Sequence, residues 1–171
     1  MRGWETSERV LESGGFESRQ RVLVDVPVVD ASASGARTLS VTYWRTVDRF
    51  TRGTVRATWR GDGGRLKLLG GATLLSFGTA QLAFSADEVR CLHEIRGGLL
   101  ALRAGGTVTL AQRPAGDQYE LSVLVKEYVP RLAARTASPW WAGALYLKGQ
   151  SPFHAAVSRR YFDLLVRSRA A

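Results

Sequence analysis

Asp30-Ala31-Ser32-Ala33-Ser34-Gly35-Ala36-Arg37, followed by Thr38-Leu39-Ser40-Val41-Thr42-Tyr43-Trp44-Arg45-Thr46-Val47, is the stretch on which the fold turns. The first eight residues are small or polar and read as a loop. In the next ten, Leu39, Val41, Tyr43 and Val47 alternate with Ser40, Thr42, Trp44 and Thr46. A period of two with β-branched and aromatic residues on both faces predicts a long strand that touches apolar neighbours on both sides. Arg45 shares the face of Leu39, Val41, Tyr43 and Val47. Pointing inward among aromatics, it would anchor an anionic or carbonyl-rich ligand.

Upstream, residues 4–13 read as a short helix, with Thr6 or Ser7 as its cap, Val10 and Leu11 as its apolar contacts and Gly14-Gly15 as its stop. From Arg21 onward Val22, Val24, Val26 and Val28 alternate with Leu23, Asp25 and Pro27, a strand whose proline places it at an edge or an end. Downstream, 54–60 and 65–69 flank Gly61-Asp62-Gly63-Gly64, a hairpin signal because glycine takes positive φ without penalty. Further strands are expected at 73–77, 80–85, 89–95, 99–103, 107–113 and 118–129, punctuated by Gly70-Gly71, Gly97-Gly98, Gly105-Gly106 and Pro114-Ala115-Gly116-Asp117. After Pro130 comes an aromatic segment containing Pro139-Trp140-Trp141. Ser151-Pro152 then opens a helix whose Phe153, Val157, Tyr161, Leu164 and Leu165 recur at helical spacing. The expected fold is mainly β: an antiparallel up-and-down β-barrel of about eight or more strands with a C-terminal helix. All of 1–171 forms one domain, divided into an N-terminal segment (1–20), the barrel (21–130), an aromatic cap (131–150) and the helix (151–171).

The whole chain is 171 residues with a net charge of +9 and one cysteine. That length is enough for one core without disulfide staples. A single Cys91 excludes an intramolecular disulfide, a zinc knuckle and an iron–sulfur cluster, and two histidines exclude a three-histidine metal site. No run is apolar enough to span a bilayer, and the N-terminus has no secretory signal, so a cytoplasmic protein is expected. Of 24 basic residues 21 are arginine, which with abundant Ala and Gly points to GC-rich coding. The excess is uneven: residues 131–171 hold seven cations, Arg159, Arg160, Arg167 and Arg169 among them, against Asp163 alone. Such a face attracts anions, including an acidic carrier protein, but without base-reading side chains it implies no specific nucleic-acid recognition.

No nucleophile elbow, phosphate loop, dinucleotide fingerprint, His-Glu-x-x-His or CxxC occurs, so no cofactor or metal is expected. Cys91 and His93 share one face of a strand; the pair could form a thiolate nucleophile or be ordinary core. Along Tyr119, Leu121, Val123, Val125 and Glu127 four residues share a face with one acid, and an inward Glu127 would have its pKa raised for acid–base work. The candidate catalytic set is Tyr43, Arg45, His93, Tyr119 and Glu127. The candidate ligand-binding set is Trp44, Trp59, Phe77, Cys91, Trp140 and Trp141, because aromatic-lined barrels with few polar groups suit apolar small molecules. The 136–150 segment is expected to cap the barrel mouth or bury a homodimer contact.

The layout of eight or more antiparallel strands and a C-terminal helix resembles the calycin-like barrels, which include lipocalins and cofactor-free cyclases of polyketide, spirotetronate and tetramate pathways. It also resembles the START-like helix-grip fold, which includes aromatic polyketide cyclases. The helix-grip fold inserts helices between its first and second strands, where 30–37 offers no room, so the barrel ranks first. The resemblance is one of architecture and carries over no residue. It implies a cofactor-independent cyclase or isomerase acting on a hydrophobic, polyketide-like molecule by holding its reactive conformer, or a non-catalytic carrier of such a ligand. A nucleic-acid-binding barrel, its Trp and Arg side chains stacking on and clamping a single strand, ranks below both.

Overall fold

The computed structural model describes residues 2–12, 15–61, 63–131 and 141–169, the side chains of 2 and 141–152 excepted. The chain runs β1 (Arg2–Val10), β2 (Phe16–Val24), α1 (Ala33–Phe50), β3 (Val55–Arg60), β4 (Gly63–Leu68), β5 (Ala72–Phe77), β6 (Gln81–Phe84), β7 (Val89–Gly97), β8 (Thr107–Ala115), β9 (Gln118–Tyr128) and α2 (Trp141–Arg169). All strands join one antiparallel sheet in the order β1-β2-β9-β8-β7-β5-β4-β3, with β6 also paired to β7. The sheet curls but does not close, leaving β1 and β3 as edges.

The deciding stretch is a helix. Ser32 caps it, its hydroxyl accepting from Gly35 N–H at 3.0 Å. Ala36, Leu39, Tyr43 and Val47 are buried on one side, while Val41 and Arg45 face solvent. The same apolar residues satisfy a period of two and a period near 3.6, so β-branched content tipped the sequence reading the wrong way. Gly35 is required where the helix begins, because a Cβ there would run into the Asp30 carbonyl. Residues 30–37, read from the sequence as a loop with no room for a helix, thus lead into one that lies between β2 and β3.

The N-terminal segment is a strand rather than a helix. Glu5 stands opposite Arg21 and Arg9 opposite Glu17, both joined as ion pairs, so charge complementarity with β2 decides what local propensity could not. Residues 99–103 form no strand, only a bridge between Ala101 and Pro130. The helical backbone of α2 begins at Trp141, so Ser151-Pro152 lies inside it.

Both helices pack on one face of the sheet, where Leu39, Tyr43 and Val47 of α1 and Val157, Tyr161, Phe162 and Leu165 of α2 join the core with Val22, Cys91, Ile95, Leu110, Leu121 and Val123. The opposite face is polar, as expected for an antiparallel sheet covered on one side. Among the described residues, no helix is long and apolar enough to cross a membrane.

Candidate functional site

A cavity of about 100 Å³ lies between α1, the covered face of the sheet and α2. Tyr43, Trp44 and Val47 supply one wall, Leu66, Leu75, Phe77, Ile95, Val108, Val125 and Tyr128 another, and Phe153 with His154 a third. The Tyr128 hydroxyl donates to Leu100 O at 2.8 Å and is thereby committed. The Tyr43 hydroxyl forms no hydrogen bond among the described residues. Burial pushes its pKa above the usual phenol value, which keeps it a neutral donor.

Beside the cavity, β7 presents His93, 1% exposed, within an aromatic cage. Its ring centroid lies 4.7 Å from that of Trp59, 5.7 Å from Trp44 and 6.1 Å from Phe77. Nε2 is approached by Ser40 Oγ at 2.8 Å, Trp44 Nε1 at 3.4 Å and Cys91 Sγ at 3.4 Å. An indole N–H can only donate, so Nε2 carries the lone pair and Nδ1 carries the hydrogen. Burial lowers the His93 pKa to about 4, so the ring is neutral at pH 7. Nδ1–H is then a buried donor without a partner among the described residues, the kind of group a ligand acceptor would satisfy.

The structure brings Tyr43, Trp44, Trp59, Phe77, Cys91 and His93 together and disperses the rest. Cys91 is wholly buried, and burial pushes its thiol up, against the thiolate a nucleophile needs. Arg45 is exposed, since on a helix it lies off the Tyr43 side. Tyr119 lines a separate hollow with Pro27, Asp30 and Glu88, at the end of the sheet away from the cavity residues of β9. Glu127 points outward, 65% exposed and 3.9 Å from Lys126 Nζ. The cause is a bulge: Phe16 pairs with Tyr128 and Ser18 with Val125, Glu127 takes φ 56°, and Tyr128 occupies the inward place its alternation assigned to Glu127. Trp140 lies outside the described residues, as do the side chains of Trp141 and the rest of 141–150 on which the expected cap depends; the backbone of 141–150 is the start of α2.

Sequence reasoning missed Ser40, Tyr128 and Phe153 as site neighbours. It also missed Glu120, which is 3% exposed and held by Arg19 at 2.7 Å, Arg113 at 3.0 Å and Arg21 at 3.1 Å on the uncovered face. Charged residues at matching register on three strands were the available signal, but their register is set by pairing rather than by sequence position. Among the described residues, no group of three or more His, Cys, Asp or Glu side chains is placed to hold a metal ion.

No family model and no curated protein matches the chain. Among solved structures, the crystal structure of CalU16 from Micromonospora echinospora is 16% identical, covers 99% of this chain and 100% of its own, and has a TM-score of 0.36. The solution structure of CalU16 is 15% identical over 73% of this chain and 61% of its own, with a TM-score of 0.34. Protein Ms6760 from Mycobacterium smegmatis is 8% identical over 96% and 97%, with a TM-score of 0.45. None of them carries an activity over to this chain.

Proposed function

We propose that this chain binds the apolar end of a small molecule in the cavity between α1, the sheet and α2. The observation that carries the reading is the aromatic and aliphatic lining itself, in which the unengaged Tyr43 hydroxyl is a polar group left for a ligand. At about 100 Å³ the cavity is smaller than the roughly 300 Å³ at which ligand pockets begin, so it accepts a ring or a short chain rather than a whole polycycle. Octan-1-ol tests this. Titration should raise the melting temperature saturably, by mass action on the folded state. Leu75→Trp, which fills the space, should melt cooperatively and no longer respond. An absent response in the unaltered protein, or an equal one in Leu75→Trp, overturns the reading.

A second reading is favoured by two neutral donors without partners among the described residues, Tyr43 Oη–H in the cavity lining and His93 Nδ1–H beside it. In a cofactor-independent cyclase or isomerase acting on a polyketide-like chain, they would polarise a carbonyl while the walls hold the reactive conformer. Phe153 and Leu66 would then have to part to admit the substrate. Turnover by pure protein that falls at least about tenfold in Tyr43→Phe with binding retained supports this. Binding without turnover retires it and leaves the carrier.

A further inference from the structure

A second concavity, a groove of about 300 Å³, runs between the two helices and is lined by Thr46, Arg49, Phe50, Arg160 and Leu164. Its floor is apolar and its rim cationic. Among the described residues neither Arg49 nor Arg160 has a carboxylate within ion-pair distance, and the sequence contains no Asp or Glu between Glu127 and Asp163. Several arginines of the sheet are matched, Arg9 with Glu17, Arg90 with Glu88, Arg96 with Glu94, and Arg19, Arg21 and Arg113 with Glu120, whereas Arg49 and Arg160 stand beside an apolar groove with no acid among its lining residues. Arg159, the neighbour of Arg160, is engaged as well, its guanidinium lying 5.0 Å above the Trp4 ring.

The groove adjoins the cavity. Phe50 lines the groove and Phe153 lines the cavity, and their rings meet edge to face at 5.5 Å. Phe153, Val157, Arg160 and Leu164 fall on one stripe of α2. Arg160 therefore stands two turns, about 10 Å, along the helix from Phe153. Phe50 and Phe153 are 44% and 36% exposed, a large solvent contact for two adjoining phenyl rings.

We infer that groove and cavity together bind a single-tailed amphiphile with a carboxylate head. Its tail passes Phe50 and Phe153 into the cavity, and its carboxylate sits between the Arg49 and Arg160 guanidinium groups, whose planar forks match carboxylate geometry. The span from Arg160 to the cavity sets the tail at about eight carbons. This rests on the cavity binding an apolar group, and it adds the chemistry of the other end.

Calorimetric titration with octanoate and octan-1-ol, the same tail with and without charge, separates the two claims. Octanoate should bind about tenfold more tightly at low salt, and its advantage should shrink as salt is raised. Arg49→Gln/Arg160→Gln should bring octanoate down to the level of octan-1-ol and leave octan-1-ol affinity unchanged. Arg159→Gln should leave the ratio as it is. Octan-1-ol binding with no octanoate advantage overturns the carboxylate site while the cavity reading stands; binding of neither overturns both. A salt-independent advantage, an equal loss in Arg159→Gln, or a folded double variant that loses octan-1-ol as well also overturns the carboxylate site. The salt series needs no variant, so poor folding of the double variant leaves the inference testable.

Discussion

The Ser40 hydroxyl of α1 meets Nε2 of His93 on β7 at 2.8 Å, a buried polar contact between helix and sheet. It joins α1, which the sequence pattern marked as a strand, to a central strand. It also uses the His93 lone pair, which leaves the Nδ1 hydrogen as the unsatisfied end of the ring.

The neutral state of His93 makes folding sensitive to acid. Its pKa is about 4 when folded and 6.5 when free, so between those values the unfolded chain binds more protons. Stability is therefore fully present above pH 6.5 and falls as pH drops toward 4, His93 accounting for about 3 kcal/mol of the loss. His154, also lowered by burial although Glu8 opposes it, acts in the same direction. Urea midpoints across this window should fall less steeply in His93→Gln than in the unaltered protein; parallel slopes would contradict the assignment.

Glu120 should matter on the uncovered face. Burial pushes its carboxyl up, but Arg19, Arg113 and Arg21 outweigh that and hold it below its ordinary 4.5. Its contribution is present above pH 4.5 and is lost as pH falls through the lower folded value. Because the three guanidinium groups reach water, Glu120→Gln is expected to cost about 1–2 kcal/mol rather than the larger penalty of a sealed ion pair. A denaturation midpoint at pH 7 equal to that of the unaltered protein would show the cluster to be inert.

Gly64 lies directly opposite Trp59 in the β3–β4 hairpin, and a Cβ on it would fall within the indole ring. Gly64→Ala should therefore lift Trp59 off His93 and Phe77 at a cost of about 1–3 kcal/mol. Tryptophan emission should change with it, and the difference should vanish in a Trp59→Phe background. An unaltered spectrum and midpoint would mean that the ring has room to spare.

Gln112 on β8 fastens the link between β2 and α1. Its Oε1 accepts from Val28 N–H at 2.6 Å and Val29 N–H at 3.0 Å, and its Nε2 donates to Val29 O at 2.8 Å. Gln112→Ala strands three backbone groups beside the core, for an expected loss of about 2–3 kcal/mol. Hydrogen exchange at the Val28 and Val29 amides should accelerate well beyond that at β9. Uniform exchange across both would refute the anchoring role.

From residue 55 onward, turn chemistry made most of the sheet legible: glycine pairs and the Gly61–Gly64 hairpin mark chain reversals wherever they stand, because the freedom of glycine is a property of the residue itself. The antiparallel sheet and the C-terminal helix could be expected on that basis. Tertiary structure decided the rest. Leu39, Tyr43 and Val47 suit a strand face or a helix face equally, and the choice followed from the sheet that α1 covers. Trp4 to Arg9 became a strand because β2 offers it complementary charges. Glu127 was turned out and Tyr128 turned in by a single bulge, and Glu120 was buried by arginines from two other strands. In each case the outcome depends on a partner distant in sequence, whose packing and charge outweigh a local preference of a few tenths of a kcal/mol per residue.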